Sequence, residues 1–231
     1  MFSVIPSIDD SIAQIGPGFR AISIVAEAAP LTHPEVAEEF LERACKSVVA
    51  GEMPWADAHL DAWSEAFKKF GAKPKRTPCS AEALRKRVIR DGFMAGIDPV
   101  VDLYNAISIH YAIPVGGENF GAYVGQPRLT IAEGTETFDT IKDGIAAEEC
   151  PEPGEVVWRD EAGVTCRRWN WRQGVRTRLS AEATQMWFIL ESLPAMPLEM
   201  LHEAGDELIR GLQLMMPGTS IKKELIGFDI E

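Results

Sequence analysis

The sequence predicts a mixed α/β (α+β) fold in a single compact domain over residues 1–231. Helical periods alternate with short runs typical of strands, and the first third of the chain is mostly helical. The composition, 46% hydrophobic and 25% charged, is ordinary for a soluble globular protein. We therefore expect a strand and helices over 1–75, a central part over 80–193, and a C-terminal helix with a tail over 194–231.

The N-terminal third contains one predicted strand and two predicted helices. The run FRAISIVAEA, after Gly16-Pro17-Gly18, is rich in apolar and β-branched residues, which is typical of a buried strand. Apolar residues then recur with a 3.6-residue period over about 32–51 and 54–70, which predicts two helices. His33 and His59 have no acid or nucleophile at a useful spacing, so we interpret both as structural.

The next two helices are predicted from their first residues. After the basic linker AKPKRTP, we expect Ser80 to cap a helix that ends at Asp91-Gly92. In the following helix Asp98 can accept hydrogen bonds from the free amides of the first turn, and Pro99 at the first helical position sacrifices no hydrogen bond. The core-facing residues of this helix recur at helical spacing: Val100, Leu103, Tyr104, Ile107 and Tyr111.

The rest of the chain is predicted to alternate between strands and helices. The segment PRLTIAEG predicts a strand, and TETFDTIKDG predicts an acidic loop. The segment PEPGEVVWRDEAGVTCRRWNW predicts a hairpin that turns between Asp160 and Gly163. We expect a helix over 180–194, a last helix over about 198–216, and an edge strand in the tail TSIKKELIGFDIE.

The first candidate site surrounds Asn105, which interrupts an apolar helix face. Its amide either holds a neighbouring loop, since a buried amide needs partners, or lies in a pocket and contacts a ligand. Gly116 and Gly117 follow the helix and precede an acid, Glu118. Paired glycines predict a turn, which either serves only the chain reversal or lets the backbone approach a ligand closely.

The second candidate site is the segment RRWNWRQ. Trp169, Asn170 and Trp171 alternate in a predicted strand, so the two tryptophans should share one face. Either both tryptophans pack in the core, or they form an aromatic wall that stacks on a base or an amino-acid side chain, with arginine on phosphate. Gln173 could offer a neutral amide to the same pocket.

The net charge of −12 argues against a general nucleic-acid binder, because an acidic protein repels the phosphate backbone. The basic residues are nevertheless clustered in two stretches: Lys73, Lys75, Arg76, Arg85, Lys86, Arg87 and Arg90, and then Arg167, Arg168, Arg172, Arg176 and Arg178. Such stretches are often only solvated faces, but they also allow a small phosphate footprint. The candidates for RNA contact are Arg85, Lys86, Arg87, Arg168 and Arg172.

Several classes of protein do not fit the sequence. The four cysteines form no CxxC pair, and we find no metal-ligand cluster, phosphate loop or dinucleotide fingerprint, so we expect neither a metal nor a cofactor. No apolar run is long enough to span a membrane, and the N-terminus MFSVIPSIDD lacks a basic region followed by an apolar one. Reduced thiols suit a cytosolic protein, and we expect a cytoplasmic location.

Two segments, IDPVVDLYNAISIHYAIPVGGEN and PGEVVWRDEAGVTCRRWNWRQ, resemble the editing domain (the B-three/B-four, tRNA-binding domain) of the beta subunit of bacterial phenylalanyl-tRNA synthetase. The chain looks still more like the freestanding relatives of that domain, and the likeness covers roughly 80–193. The resemblance implies an α/β domain that binds the 3′ end of a mischarged tRNA and hydrolyses the wrong aminoacyl ester. The implied partners are tRNA or aminoacyl-tRNA and a synthetase, rather than DNA or a membrane.

The resemblance carries over only in part at single residues. Asn105 matches an asparagine of the family, whereas Tyr104 stands where the family has a threonine near the aminoacyl group. The catalytic-loop histidine of the family falls at Gly116 and is therefore absent. The glutamate that reads the hydroxyl of a mischarged tyrosine aligns near Gln173, so discrimination of tyrosine from phenylalanine is not implied.

An aminoacyl ester is already activated, so a positioned water and a few oriented donors could suffice for hydrolysis. In this interpretation the amides of Gly116 and Gly117 hold the oxyanion, Glu118 orients or deprotonates water, and Asn105 fixes the ester or the terminal ribose. The substrate would also contact Tyr104, Trp169, Asn170, Trp171 and Gln173. The leading hypothesis is hydrolysis of mischarged aminoacyl-tRNA in trans. The alternatives are a non-catalytic module that binds tRNA or an amino acid, and a structural partner of a synthetase.

Overall fold

The computed structural model describes residues 2–228, which contain six α-helices and eleven β-strands. Helices α1 to α6 are, in order, Ile12–Ile15, Glu35–Ala50, Ala56–Lys69, Ser80–Asp91, Pro99–Tyr111 and Leu198–Met215. Strands β1 to β11 are Ser7–Ile8, Arg20–Glu27, Val115–Asn119, Arg128–Ile131, Phe138–Lys142, Ile145–Glu149, Val156–Arg159, Val164–Arg167, Arg172–Gln173, Gln185–Ser192 and Ser220–Gly227. The mixed α/β class and the helical N-terminal third are confirmed.

The strands form two sheets and one separate hairpin. The first sheet has the order β11-β2-β10-β3 and is antiparallel throughout. The second has the order β1-β4-β7-β8-β9, in which only β1 and β4 run parallel. Strands β5 and β6 pair only with each other. Strand β3 therefore lies at an edge of the first sheet and β9 at an edge of the second.

The first sheet is buried on both faces, which makes it the centre of the fold. Alternate residues of β10, such as Phe188 and Leu190, pack against α2, α5 and α6 on one face. The residues between them, Trp187 and Ile189, pack on the other face with the second sheet and with Trp63 of α3. Side chains alternate along a strand, so β10 is apolar on both sides and contributes to two cores.

Several predicted helix ends are confirmed by their chemistry. The Asp98 carboxylate accepts hydrogen bonds from the amides of Val100 and Val101 at 2.9 and 3.3 Å, with Pro99 at the first position of α5. Helices α2 and α4 end at Gly51 and Gly92, both in the left-handed conformation with φ of 68° and 79°. Glycine takes up this conformation without steric cost, so both helices stop where the sequence predicts.

Four other predictions are wrong. Gly116-Gly117 lies in strand β3 rather than in a turn. The segment TETFDTIKDG is not a loop, because it contains strand β5 and the turn that leads into β6. The helix predicted over 180–194 is strand β10, because a strand buried on both faces has no two-residue alternation and its apolar residues also satisfy a helical period. Ser80 is the first residue inside α4, so the N-cap position belongs to Cys79, and no side chain caps this helix.

The C-terminal part agrees with the prediction over the described residues. The helix predicted over about 198–216 is α6, and the tail adds β11 as an edge strand beside β2. The last residues of the segment TSIKKELIGFDIE, 229–231, lie outside the described part. No helix among residues 2–228 is long and apolar enough to cross a membrane.

Candidate functional site

A cavity of about 260 Å³ opens where the edge strands of the two sheets meet α4 and α5. Its floor is one face of the first sheet, formed by Gly116 and Glu118 on β3 and by alternate residues of β10. The opposite wall comes from the second sheet and the turn after β8. The lining side chains include Ser80, Leu84, Tyr104, Asn105, Trp158, Cys166, Trp169, Asn170, Trp171, Gln173, Trp187, Ile189 and Glu191. Both candidate segments of the sequence therefore meet in one place.

Glu118 is the carboxyl at the β3 end of the cavity. Glu118 is only 4% exposed, and its Oε2 atom has no hydrogen-bond partner in the described part of the chain. Burial raises the pKa of the Glu118 carboxyl to about 8, although the neighbouring Thr177 and Gln173 side chains favour the charged form. A carboxyl that titrates near neutral pH can take up and release a proton, which suits acid–base chemistry.

A second buried carboxyl, Glu191 on β10, lines the same cavity and was not anticipated. Its oxygens accept hydrogen bonds from Trp158 Nε1 at 2.8 Å and from Asn170 Nδ2 at 2.9 Å. Burial raises the pKa of the Glu191 carboxyl to about 7. The available signal was an acid inside the apolar run MWFILES, because an acid buried in a core needs partners or a function.

Most of the unpaired buried polar side-chain atoms border this cavity. Six such atoms are found in the described part of the chain, and four belong to cavity residues: Ser80 Oγ, Glu118 Oε2, Trp169 Nε1 and Asn170 Oδ1. A buried polar group without a partner costs free energy. Their concentration in one cavity therefore indicates that a polar ligand completes the site.

Asn105 and Tyr104 of α5 form the wall beside β3. Asn105 is partly exposed and makes no side-chain hydrogen bond to any described residue, so it does not hold a loop. Its amide is available to a ligand. The ring of Tyr104 lies against Phe188 and against Gly117, where an added Cβ would come within 2.6 Å of the ring. Gly117 is therefore required for the position of Tyr104.

The backbone of β3 limits what Gly116 and Gly117 can offer. The amide of Glu191 donates to Pro114 O at 2.9 Å, and hydrogen-bonded pairs alternate along an antiparallel ladder. Gly116, opposite Ile189, therefore uses its N–H within the sheet. The carbonyl of Gly117 accepts a hydrogen bond from Gln173 Nε2, which fixes the Gln173 side chain at the cavity. An oxyanion site built from both glycine amides does not fit this ladder.

The tryptophans occupy a turn, not the strand predicted for them, and they have different roles. Residues 168–171 connect β8 to β9, with Arg168 and Trp169 both at positive φ, 48° and 65°. Two consecutive non-glycine residues in this conformation are strained, as is common at functional sites. Trp169 is fully buried against Phe19 and Trp63, whereas Trp171 is partly exposed at the cavity and stacks under Arg168 at 4.5 Å.

The predicted RNA-contacting residues separate into buried and exposed ones. Arg85 is 8% exposed and donates to Ile109 O at 2.6 Å, so it joins α4 to α5 and cannot contact RNA. Lys86 and Arg87 are exposed on α4, three and four residues after Ala83, which lines the cavity. They therefore lie on the cavity side of the helix. Arg172 is exposed on β9.

Two other arginines of the second basic stretch make internal ion pairs. Arg167 is bound by Glu155 at 2.8 Å, and Arg176 is bound by Asp160 at 2.8 Å. Both carboxylates are almost fully buried, so these arginines neutralise charges inside the protein. The basic stretch 167–178 therefore presents fewer cations to solvent than its sequence suggests.

The cavity lining contains no histidine among the described residues, and its one cysteine is not activated. His59 is buried and its ring nitrogens contact Ala112 O at 2.8 Å, Trp63 Nε1 at 3.2 Å and the amide of Leu193 at 3.1 Å, which supports its interpretation as structural. Cys166 lines the cavity, but burial raises the pKa of its thiol well above the ordinary value, so it is a poor nucleophile. Residues 2–228 contain no group of three or more His, Cys, Asp and Glu side chains arranged to hold a metal ion.

Comparison with known proteins gives a family and distantly related solved structures. A family model described as the B3/4 domain matches residues 62–200. No match was found among curated proteins. A solved N-terminal fragment of the phenylalanyl-tRNA synthetase beta-subunit from Pyrococcus horikoshii aligns with 11% identity and a TM-score of 0.48. The alignment covers 98% of this chain and 55% of that one, so the chain spans about half the length of the synthetase fragment.

Proposed function

This chain belongs to the B3/4 domain family, and from that premise we propose that it hydrolyses mischarged aminoacyl-tRNA. The observation that carries the proposal is Glu118, a buried carboxyl whose Oε2 atom has no partner among the described residues, in a cavity that also contains the free amide of Asn105. The cavity accepts the aminoacyl group, and the tRNA acceptor end lies over its mouth. A tRNA and a synthetase are the expected partners, in the cytoplasm.

The residues at the cavity have distinct parts in the proposed reaction. Glu118 in its ionised form takes a proton from a water, and the water oxygen attacks the ester carbonyl. The bond between that carbon and the ribose oxygen breaks, and the proton passes from Glu118 to the ribose oxygen. Asn105 donates from its amide to the ester, where the developing negative charge needs a donor. The products are a free amino acid and a tRNA with its terminal hydroxyl restored.

The mouth of the cavity offers surfaces for the end of the RNA. Trp171 presents a partly exposed ring on which a terminal base can stack, and base–aromatic stacking does not depend on sequence. Arg168 and Arg172 approach that ring at 4.5 and 6.0 Å. Arg168 also pairs with the buried Glu155 carboxylate at 3.8 Å, so the exposed Arg172 is the better placed of the two to meet phosphate. Lys86 and Arg87 extend this basic surface along α4.

The RNA surface gives a prediction for salt dependence. Changing both Lys86 and Arg87 to glutamine should weaken tRNA binding and make the slope of log affinity against log salt shallower, by about 0.9 at most for each phosphate that is no longer neutralised. The matched control changes Lys46 and Lys222 to glutamine. Both are similarly exposed cations, on α2 and on β11, and β11 is the edge of the first sheet opposite to β3. Equal slopes for the two double variants would show that Lys86 and Arg87 are an ordinary solvated face.

The direct test of the proposed function is a deacylation screen. The purified protein is incubated with tRNAs that carry each of the twenty amino acids, including mischarged combinations, in the presence of a metal chelator. We expect faster ester hydrolysis on at least one of them. A chain that accelerates none of these reactions is not an editing enzyme.

One observation favours a second candidate function, binding without catalysis. The family histidine is absent, and none of the residues that line the cavity in the described part of the chain is a histidine. A module that binds tRNA or an amino acid beside a synthetase would use the same cavity without hydrolysis. Binding of charged tRNA with no acceleration of hydrolysis in the screen would support this candidate.

A further inference from the structure

We propose that the far end of the cavity, at Ser80, Asn170 and Glu191, binds the side-chain ammonium group of a long, positively charged amino acid. This inference rests on the proposed function only in assuming that the ligand is an aminoacyl group. It concerns the identity of that group, which the family match leaves open.

The three residues form one cluster of oxygen acceptors. Asn170 Nδ2 donates to Glu191 Oε2 at 2.9 Å, and the amide of Ser80 donates to Asn170 O at 3.1 Å. Asn170 is 7% exposed, and both Asn170 Oδ1 and Ser80 Oγ have no partner in the described part of the chain. An ammonium group has three donors and no acceptor, so it matches a carboxylate, an amide oxygen and a hydroxyl.

Charge also favours a cation at this end. Glu191 makes no ion pair with any described residue, and the side chains that favour its charged form, Trp158, Trp169 and Asn170, are all neutral. The other titratable groups that its charge reaches, Cys79 and Cys166, are buried thiols with raised pKa. An uncompensated buried carboxylate is costly, and a bound cation supplies the missing opposite charge. The pKa of about 7 for Glu191 agrees with this absence of a cation.

The length of the cavity selects a long side chain. Glu191 lies beside Pro114 in the register of β10 and β3, and Glu118 lies four residues further along β3. At the rise of an antiparallel strand, the Cα atoms of the two glutamates are about 14 Å apart. When the ester of an aminoacyl group meets Glu118, a short side chain stops before the cluster. A lysine- or ornithine-like side chain can extend past Ile189 toward it.

The test uses non-hydrolysable amide analogues of aminoacyl-adenosine that carry lysine, norleucine or glutamine, with binding measured by calorimetry. Lysine and norleucine differ only in the ammonium group. We expect the lysyl analogue to bind at least about 100-fold more tightly than the norleucyl analogue, as for a site built to hydrogen-bond a substrate group. Glu191→Gln should abolish this preference, and Glu118→Gln should retain it. Equal or tighter binding of the norleucyl or glutaminyl analogue overturns the inference.

A second measurement needs no variant. Because the ammonium group requires an ionised Glu191, affinity for the lysyl analogue should rise with pH through about 7, and affinity for the norleucyl analogue should not. If affinity changes with pH in the same way for both analogues, the inference is contradicted. These measurements do not depend on hydrolysis. A lysyl preference without deacylation of any tRNA would refute the proposed function alone, and deacylation without the preference would refute only this inference.

Discussion

Glu118→Gln should lower the deacylation rate by about 100- to 10,000-fold, which is the usual loss when a positioned general base is removed. Glutamine keeps the shape of the side chain but cannot take a proton from water. Because the lost interaction belongs mainly to the transition state, binding of aminoacyl-tRNA should change little. Single-turnover rates and equilibrium binding on the same substrate separate the two effects.

The same substitution should stabilise the protein at alkaline pH. The pKa of Glu118 is raised in the folded state, to about 8 from its ordinary 4.5. The unfolded chain therefore binds fewer protons than the folded one between these values, and this group's contribution to stability falls as pH rises through that window. Glutamine removes the cost of a buried charge. We expect a higher melting temperature than wild type at pH 8.5 and a much smaller difference at pH 5.

The control for Glu118→Gln is Glu161→Gln, an exposed glutamate in the turn between β7 and β8, which should change neither rate nor stability. If Glu118 were only structural, its replacement would leave the deacylation rate of the folded fraction unchanged. Full activity in a stable Glu118→Gln protein would remove this residue from the mechanism.

His59→Leu should destabilise the fold by about 3 kcal/mol, because it leaves several buried polar groups without partners. His59 Nδ1 contacts the carbonyl of Ala112 at the end of α5. Its Nε2 accepts hydrogen bonds from Trp63 on α3 and from the amide of Leu193 after β10. Leucine can fill part of the space but makes none of these bonds. Denaturant unfolding of the variant and of wild type at pH 7.5 measures the difference.

The pH dependence of that difference identifies the protonation state of His59. Burial lowers the pKa of His59 to about 4 from its ordinary 6.5. The unfolded chain therefore binds more protons than the folded one between these values, and stability from His59 is lost as pH falls from about 6.5 toward 4. The difference in the free energy of unfolding between wild type and His59→Leu should therefore become smaller as pH falls over this range. If that difference stayed constant with pH, the imidazole of His59 would not be held neutral in the folded state. His33→Ala, at an exposed histidine, is the control.

The sequence predicts helix ends correctly where the residues at the end determine the local backbone conformation. The Asp98-Pro99 start of α5 and the glycines after α2 and α4 act through local backbone geometry, which is readable without tertiary contacts. Strand β10 was mistaken for a helix because its conformation is imposed by pairing with β2 and β3. The Gly116-Gly117 pair was mistaken for a turn for the same reason, since two glycines have low strand propensity and only the ladder holds them there.

The candidate site was predicted in its parts but not in its arrangement. Asn105, Glu118, Trp171 and Gln173 do line one cavity, and the family resemblance is confirmed. Arg85 was misassigned, because a basic run does not show which of its members turns inward. Glu191 was missed because its role depends on Asn170, a partner 21 residues away along the chain. Such a pair becomes visible only when the two sheets are packed together.

The separation between the cavity floor and the basic surface has a consequence for how such a protein can diversify. Glu191, the carboxyl proposed to choose the amino acid, lies buried on β10, whereas Lys86 and Arg87 lie on the exposed surface of α4 and share no described partner with it. Free-energy effects of changes at sites without shared partners add. A lineage could therefore exchange one amino-acid specificity for another while its affinity for tRNA stays intact, and laboratory evolution of the two properties can proceed in separate libraries.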